Sequence, residues 1–231
     1  MDFSGIQRLT LLDYPGKVAC TIFTPGCNLR CPFCHNASLA LPERERDVLS
    51  GEEILSFLKK RQGLLDGVAV TGGEPLLHPE LPAFLARVKE LGYLVKLDTN
   101  GTFPRRLREA VEAGVVDRVA MDIKAAPENY GRATGLPGLD LTPIRESAAF
   151  LLGGSVDYEF RTTCVKGIHT PADFSAIGAW IAGAKEYYLQ DFKDSGDLIA
   201  GGDLGAFTAA EMNDFADAVR PLVPSVKVRG V

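Results

Sequence analysis

The 231-residue chain has no dense run of lysine and arginine, and its net charge is −5. A protein that grips a phosphate backbone needs the opposite, so nothing points to a nucleic-acid partner. Its apolar stretches are all far too short to cross a bilayer, so no membrane partner is expected either. The opening "MDFSGIQRLT" has no basic start followed by an apolar segment, and no signal peptide is expected. These absences point to a cytoplasmic protein. In that compartment thiols stay reduced, and clustered cysteines bind metal more often than they pair. Histidine is scarce, at three residues, and cysteine numbers five. No linker, charge block or repeat divides the chain. With 46% hydrophobic residues it can bury a sizeable core as one domain, residues 1–231.

What is present is an alternation of strand-like and helix-like segments. Strands are predicted at 18–23, 68–71, 93–98, 117–123, 158–165 and 186–192, and a short terminal one at 225–230. Most read as lacking a polar face, as strands covered on both sides do. Ser50 with Glu53 and Thr208 with Glu211 form capping boxes ahead of apolar helical faces. Leu81, Phe84, Leu85 and Val88 recur at helical spacing, with Gly92 placed as the cap. Pro104 opens a third helix, closed by Gly114. Thr142–Pro143 and Thr170–Pro171 each read as an N-cap followed by proline at the first helical position. Strand and helix repeated six times imply a parallel α/β sheet, either doubly wound or closed toward a barrel. Two loops exceed the usual length, 124–140 and 193–206. Each reads equally as a solvated surface loop and as a lid or partner surface.

Three of the five cysteines crowd into "TPGCNLRCPFCHN", residues 24–36, directly after the first strand. That is the C-terminal edge of a parallel sheet, where sites are usually built. Cys27, Cys31 and Cys34 have the spacing C-x3-C-x2-C. Three thiolates from one loop can hold three corners of a four-iron, four-sulfur cluster and leave one iron open. An open position separates a catalytic metal site from a closed structural one. Zinc held by the three cysteines and His35 is the competing reading, although Cys34 and His35 are adjacent and awkward as joint tetrahedral ligands. Cys20 and Cys164 fall inside strands and read as small core residues. His78 and His169 precede helices and are expected at the surface.

The cysteine triad, with Phe33 before its third member, is followed one helix and one strand later by "TGGEP" at 71–75. In that combination the chain resembles the radical S-adenosylmethionine enzymes. The resemblance implies a partial six-stranded parallel (β/α)6 barrel, an incomplete TIM barrel open on one side. Its core would span about 18–192, with a C-terminal helix and strand at 208–230. It implies a [4Fe–4S] cluster on Cys27, Cys31 and Cys34, with S-adenosylmethionine chelating the open iron. Gly72, Gly73, Glu74 and Pro75 would meet the ligand's amino group. "DTNG" at 98–101 and "MDIK" at 121–124 resemble segments that build a monovalent cation site from Asp98, Thr99 and Asp122. Arg161 resembles an arginine that contacts the ligand's carboxylate, and Lys124 and Gln190 lie near strand ends beside it. No side chain is assigned as a catalytic acid or base.

Within that superfamily the opening segment "GIQRLTLLDYPGKVACTIFTPGCNLRCPFCHN" is similar to the activating enzymes of glycyl radical enzymes, in particular the anaerobic ribonucleoside-triphosphate reductase activating group. The pyruvate formate-lyase activating enzymes are akin. Such an enzyme cleaves S-adenosylmethionine reductively and uses the 5′-deoxyadenosyl radical to take hydrogen from a glycine of a partner enzyme. A flavodoxin or ferredoxin would supply the electron. Residues 35–71 hold no cysteine, so a single cluster is expected. Two other readings share the cysteines. One is a radical enzyme acting on a small molecule, such as a 7-carboxy-7-deazaguanine synthase. The other is a non-catalytic zinc or iron–sulfur electron-transfer protein.

Overall fold

A computed structural model describes residues 1–41, 48–194, 196–200 and 203–230. Its strands are β1 Asp2–Phe3, β2 Gly5–Thr10, β3 Ala19–Thr24, β4 Leu49–Ser50 and β5 Gly67–Gly72. They continue with β6 Leu94–Thr99, β7 Arg118–Asp122, β8 Asp157–Cys164, β9 Tyr187–Asp191 and β10 Val226–Arg229. Its helices are α1 Ala37–Ala40, α2 Gly51–Lys59, α3 Leu81–Glu90 and α4 Pro104–Glu112. After them come α5 Tyr130–Thr134, α6 Thr142–Leu152, α7 Pro171–Trp180 and α8 Ala209–Val219.

Eight strands form one sheet in the order β10-β9-β8-β7-β6-β5-β3-β2. From β3 to β10 every neighbour is parallel and is the next sheet strand along the chain. The order never reverses, so there is no switch point of the doubly wound kind. The sheet winds one way, as a barrel does, and its two edges are β2 and β10. All six expected strands lie within it. The expected terminal strand is β10, which extends the parallel run beside β9, and β2, absent from the sequence reading, adds antiparallel to β3. β1 and β4 form a separate antiparallel pair.

The strands alternate after all. Cys20, Ile22, Val68, Val70, Val95, Leu97, Val119, Met121, Tyr158 and Phe160 join the main apolar core. They meet Leu55, Leu58, Leu85, Leu107, Leu151 and Ile177 from the surrounding helices. The opposite parity carries Lys96 and Glu159 together with Thr21, Asp98, Asp122 and Arg161, and the last four line the cavity described below. On that side of the sheet Arg118 donates to the buried Glu159 at 2.8 Å, and the partly exposed Arg229 reaches it at 3.3 Å. The reading of most strands as lacking a polar face is therefore corrected. Cys20 and Cys164 are buried in the core, as expected.

The helix signals hold, with one shift. The capping boxes at Ser50–Glu53, Thr170–Asp173 and Thr208–Glu211 are all formed. Thr142 is the first residue of α6 rather than its cap. Leu141 takes the cap position, and Thr142 donates its N–H to Asp140 Oδ1 at 2.9 Å. The 124–140 segment is not a solvated loop. It folds into a 3₁₀ turn at Pro127–Asn129 and then α5, burying Tyr130, Ala133 and Thr134. In the 193–206 segment, residues 195, 201 and 202 lie outside the described residues. Gly205 pairs with Lys166 through two backbone hydrogen bonds of 2.8 and 3.3 Å. Among the described residues no helix is long and apolar enough to cross a membrane.

Candidate active site

The loop after β3 carries the three cysteines and is fixed from several sides. Gly26 donates to Leu39 O at 2.7 Å, Arg30 to Thr134 O at 2.9 Å, and Ala200 to Pro32 O at 3.2 Å. The Arg30 guanidinium turns back on its own loop, donating to Cys27 O at 2.6 Å and Leu29 O at 2.8 Å. A second apolar cluster wraps the loop: Leu29, Cys31 and Phe33 pack with Ala125, Ala133, Val165, Ile168 and Phe192. The helical 124–140 segment supplies part of this shell. Burial pushes the Cys31 thiol up to about 12 and raises that of Cys27 as well. Buried thiolates need a compensating positive charge, and a metal centre supplies it.

The "GGEP" turn after β5 lies directly on this loop. Gly73 donates its N–H to Thr24 O at 3.0 Å, and Glu74 donates its N–H to Gly26 O at 2.8 Å. Gly72 has φ 118°, a conformation that side chains rarely adopt. A Cβ on Gly73 would lie 1.8 Å from Gly26 O. The glycines therefore bring two loop backbones together, whatever else they admit. Glu74 is 1% exposed. Its Oε1 accepts from Leu76 N at 3.0 Å and Thr99 Oγ1 at 2.8 Å, and its Oε2 accepts from Asn100 N at 2.7 Å. Burial raises its carboxyl to about 7 against the pull of those donors. Asn100 in turn donates Nδ2 to Asn28 Oδ1 at 2.9 Å. "GGEP", "DTNG" and the cysteine loop thus form one hydrogen-bonded unit.

The third wall is a row of alternating charges. Lys96 Nζ lies 2.5 Å from Asp98 Oδ1, and Arg161 Nη1 is 3.1 Å from Asp98 Oδ2. Arg161 Nε is 3.0 Å from Asp122 Oδ1, and Lys124 Nζ is 2.9 Å from Asp122 Oδ2. Register explains the meeting, since Asp122 stands opposite Arg161 on the paired strands β7 and β8. Burial alone would raise both acids. Arg161 with Lys96 outweighs it at Asp98, and Arg161 with Lys124 outweighs it at Asp122, so both carboxyls fall below the usual range. Burial opposes charge on Arg161 and Lys124 too, but the facing acids hold both firmly protonated.

These walls enclose a cavity of about 390 Å³. Cys27, Cys31, Cys34, Gly72, Gly73, Glu74, Asp98, Thr99, Asp122, Lys124, Arg161 and Gln190 all line it. Of the residues singled out from sequence, Pro75 is the exception, since it opens the turn behind the wall. Asn100 and His35 also line the cavity. Lys96, Asn28 and Asn100 were not picked out in sequence. Asn100 stood inside the quoted "DTNG", and Lys96 was signalled by its alternation with Asp98. Of the two histidines expected at the surface, His78 is half-buried and only His169 is placed otherwise. His169 is buried; its Nδ1 accepts from Val165 N at 3.0 Å and its Nε2 meets Lys124 O at 2.8 Å. It also packs 6.2 Å from the Phe33 ring, bracing the cysteine loop. His78 Nε2 lies 2.7 Å from Pro25 O, at the base of the same loop. Among the described residues no three His, Cys, Asp or Glu side chains gather tightly enough to chelate a single metal ion. The three thiols nevertheless all line the cavity.

A one-way parallel α/β barrel wall with three cavity-facing thiols and a polar, charge-paired pocket defines an enzyme that holds a metal cluster beside a small ligand. The chain belongs to the radical S-adenosylmethionine (Radical SAM) superfamily, whose sequence pattern matches residues 21–153. Members of this superfamily use a [4Fe–4S] cluster and S-adenosylmethionine. The donor set fits them, with three thiols in an apolar shell and a ligand-sized cavity alongside.

A protein of Methanocaldococcus jannaschii named "Putative glycyl-radical enzyme activating enzyme" is 33% identical over 198 residues, 82% of this chain and 79% of its own. The pyruvate formate-lyase-activating enzyme of Staphylococcus aureus is 34% identical over 146 residues, 58% of this chain and 57% of its own. Among solved structures, a domain of pyruvate-formate lyase-activating enzyme from Bacteroides vulgatus superposes with a TM-score of 0.58 at 17% identity. It covers 71% of this chain and 99% of that domain. At such identity the likeness speaks to fold alone.

Proposed function

We propose that this chain is the activating enzyme of a glycyl radical enzyme. When bound, the reduced cluster and S-adenosylmethionine together supply a 5′-deoxyadenosyl radical that removes hydrogen from a glycine Cα of the partner. The observation that carries the reading is the convergence of the cysteine loop, the "GGEP" turn and the "DTNG" strand end on one cavity. Two relatives with activating-enzyme names support the choice within the superfamily.

Each wall has its own task in this reading. Cys27, Cys31 and Cys34 hold the cluster, and Leu29, Phe33 and Phe192 keep water from it. The Gly72–Pro75 turn offers backbone to the ligand's amino group, with Glu74 fixing that turn rather than reaching out freely. Arg161, steadied by Asp98 and Asp122, faces the ligand's carboxylate, and Lys124 and Gln190 complete the wall. The abstraction needs no protein base, consistent with a cavity lined by a single histidine. A flavodoxin or ferredoxin is the expected one-electron donor.

The test is anaerobic. Reconstituted protein is mixed with S-adenosylmethionine, a strong reductant, and either anaerobic ribonucleotide reductase or a formate-lyase type enzyme. A glycyl radical signal on one of them by electron paramagnetic resonance supports the proposal and names the partner. Cleavage that depends on a small heterocycle, with no radical on either protein, would replace it with a small-molecule enzyme.

A further inference from the structure

Lys96 is the least expected charge in the molecule. It sits on the inner face of β6 with its side chain 1% exposed, and its ammonium lies 2.5 Å from Asp98 Oδ1. Lysine is almost never enclosed to this degree unless paired. The pairing here is part of a closed set. Lys96 takes Asp98 Oδ1, Arg161 takes Asp98 Oδ2 and Asp122 Oδ1, and Lys124 takes Asp122 Oδ2. All four carboxylate oxygens already have a cationic partner. Among these five groups three cations face two acids, and Glu159, the next acid inward along β8, is already taken by Arg118 and Arg229. A further cation would enter against that excess of cations, in a setting where like charges repel strongly.

We propose that the Lys96 ammonium is the resident monovalent cation of this wall, so that Asp98, Arg161 and Asp122 hold their arrangement without K⁺ or Na⁺. The inference rests on the reading of the cavity as the S-adenosylmethionine site, and it replaces the external cation that the sequence resemblance suggested. Lys96 is a positioning residue. It acts through Asp98 on Arg161, the group that would face the ligand's carboxylate. The site then works at any alkali-ion concentration, and its order is built in when the chain folds.

The test compares KCl, NaCl and choline chloride at equal ionic strength, using the full chain. For the wild type, the thermal midpoint of the cluster-free protein and the dissociation constant for S-adenosylmethionine of the reconstituted protein are expected to be the same in all three salts. Lys96→Ala opens a cation-sized gap beside Asp98. Its midpoint should fall in choline chloride and recover by about 2–4 °C in KCl or NaCl. Its affinity for S-adenosylmethionine should weaken about tenfold in choline chloride and largely return with an alkali ion. Lys96→Met fills the gap without charge and should be rescued by neither salt. A merely space-filling lysine would give the alanine variant equal losses in all three salts, and that result overturns the proposal. So does a wild type that binds S-adenosylmethionine only with K⁺ or Na⁺, a measurement that stands even if neither variant folds. The midpoint comparison needs no cluster. A wild type that fails to cleave S-adenosylmethionine would therefore sink the functional reading and leave this comparison intact.

Discussion

The carboxylate of Glu74 accepts the backbone N–H of Asn100 at 2.7 Å, so the turn after β5 is tied to the end of β6 by a buried acid. Thr99 and Leu76 donate to its other oxygen. Glu74→Ala strands three buried donors and is expected to cost about 2–4 kcal/mol of stability in urea unfolding. Glu74→Gln keeps the two bonds to one oxygen but sets an amide N–H₂ against Asn100 N–H, and should fall between. Both variants are also expected to weaken S-adenosylmethionine binding. Unchanged stability in both would mean that Glu74 is a free ligand group and not a brace.

Gly73 is where the turn touches the cysteine loop. A Cβ there would lie 1.8 Å from Gly26 O, so Gly73→Ala must push the two loops apart. Overpacking of this kind costs about 1–3 kcal/mol. The helices lie behind the sheet and should keep their far-ultraviolet circular dichroism. Iron and sulfide bound after reconstitution are expected to drop well below the wild-type level. Full cluster loading in the alanine variant would contradict this account of the turn.

How much of this was legible beforehand depends on which face of the sheet is considered. The six strands were readable because their outward residues, such as Val95 and Leu97 or Val119 and Met121, bury against helices and leave continuous apolar signals. The inward residues were misread. Lys96 and Asp98, or Glu159 and Arg161, alternate with those apolar residues. A sheet curving around a polar cavity can enclose charge, provided each charge meets another across the strands. Which acid meets which cation depends on register, and no local pattern in the sequence states register. The cysteine triad was plain from spacing alone. "GGEP" was not, because the constraint on Gly73 comes from Gly26, far away along the chain. His169 could not be read either, since its partners are backbone groups at Val165 and Lys124. The helical fold of 124–140 was hidden by its glycines and prolines, which punctuate short packed turns as often as open loops.

Asp173 gives the fold a pH handle outside the site. It is the helix-side member of the α7 capping box, accepting from Thr170 N at 2.9 Å, and also accepts from Asn129 Nδ2 at 2.9 Å and Ala126 N at 3.3 Å. Burial works against its charge, but the donors from Asn129 and Thr170 prevail and hold its carboxyl below the ordinary 3.8. A lowered carboxyl adds stability that is present above its unfolded value and lost as pH falls through the folded one. Asp173→Asn is therefore expected to melt below the wild type at pH 7, and the two curves should converge as pH falls below 3.8. The loss at neutral pH should be about 1–2 kcal/mol, as for a helix cap. A gap that stays constant down to pH 3 would show that the ionised form contributes nothing.

The most direct measurement concerns Cys31, the most enclosed of the three cavity thiols. Wild type and Cys31→Ala are reconstituted without air, then analysed for iron and sulfide and given S-adenosylmethionine with a strong reductant. The wild type should carry about four irons and four sulfides per chain and release 5′-deoxyadenosine and methionine. Cys31→Ala should release neither above background. A wild type that loads fully yet leaves S-adenosylmethionine intact, or a Cys31→Ala variant that still splits it, would contradict the account.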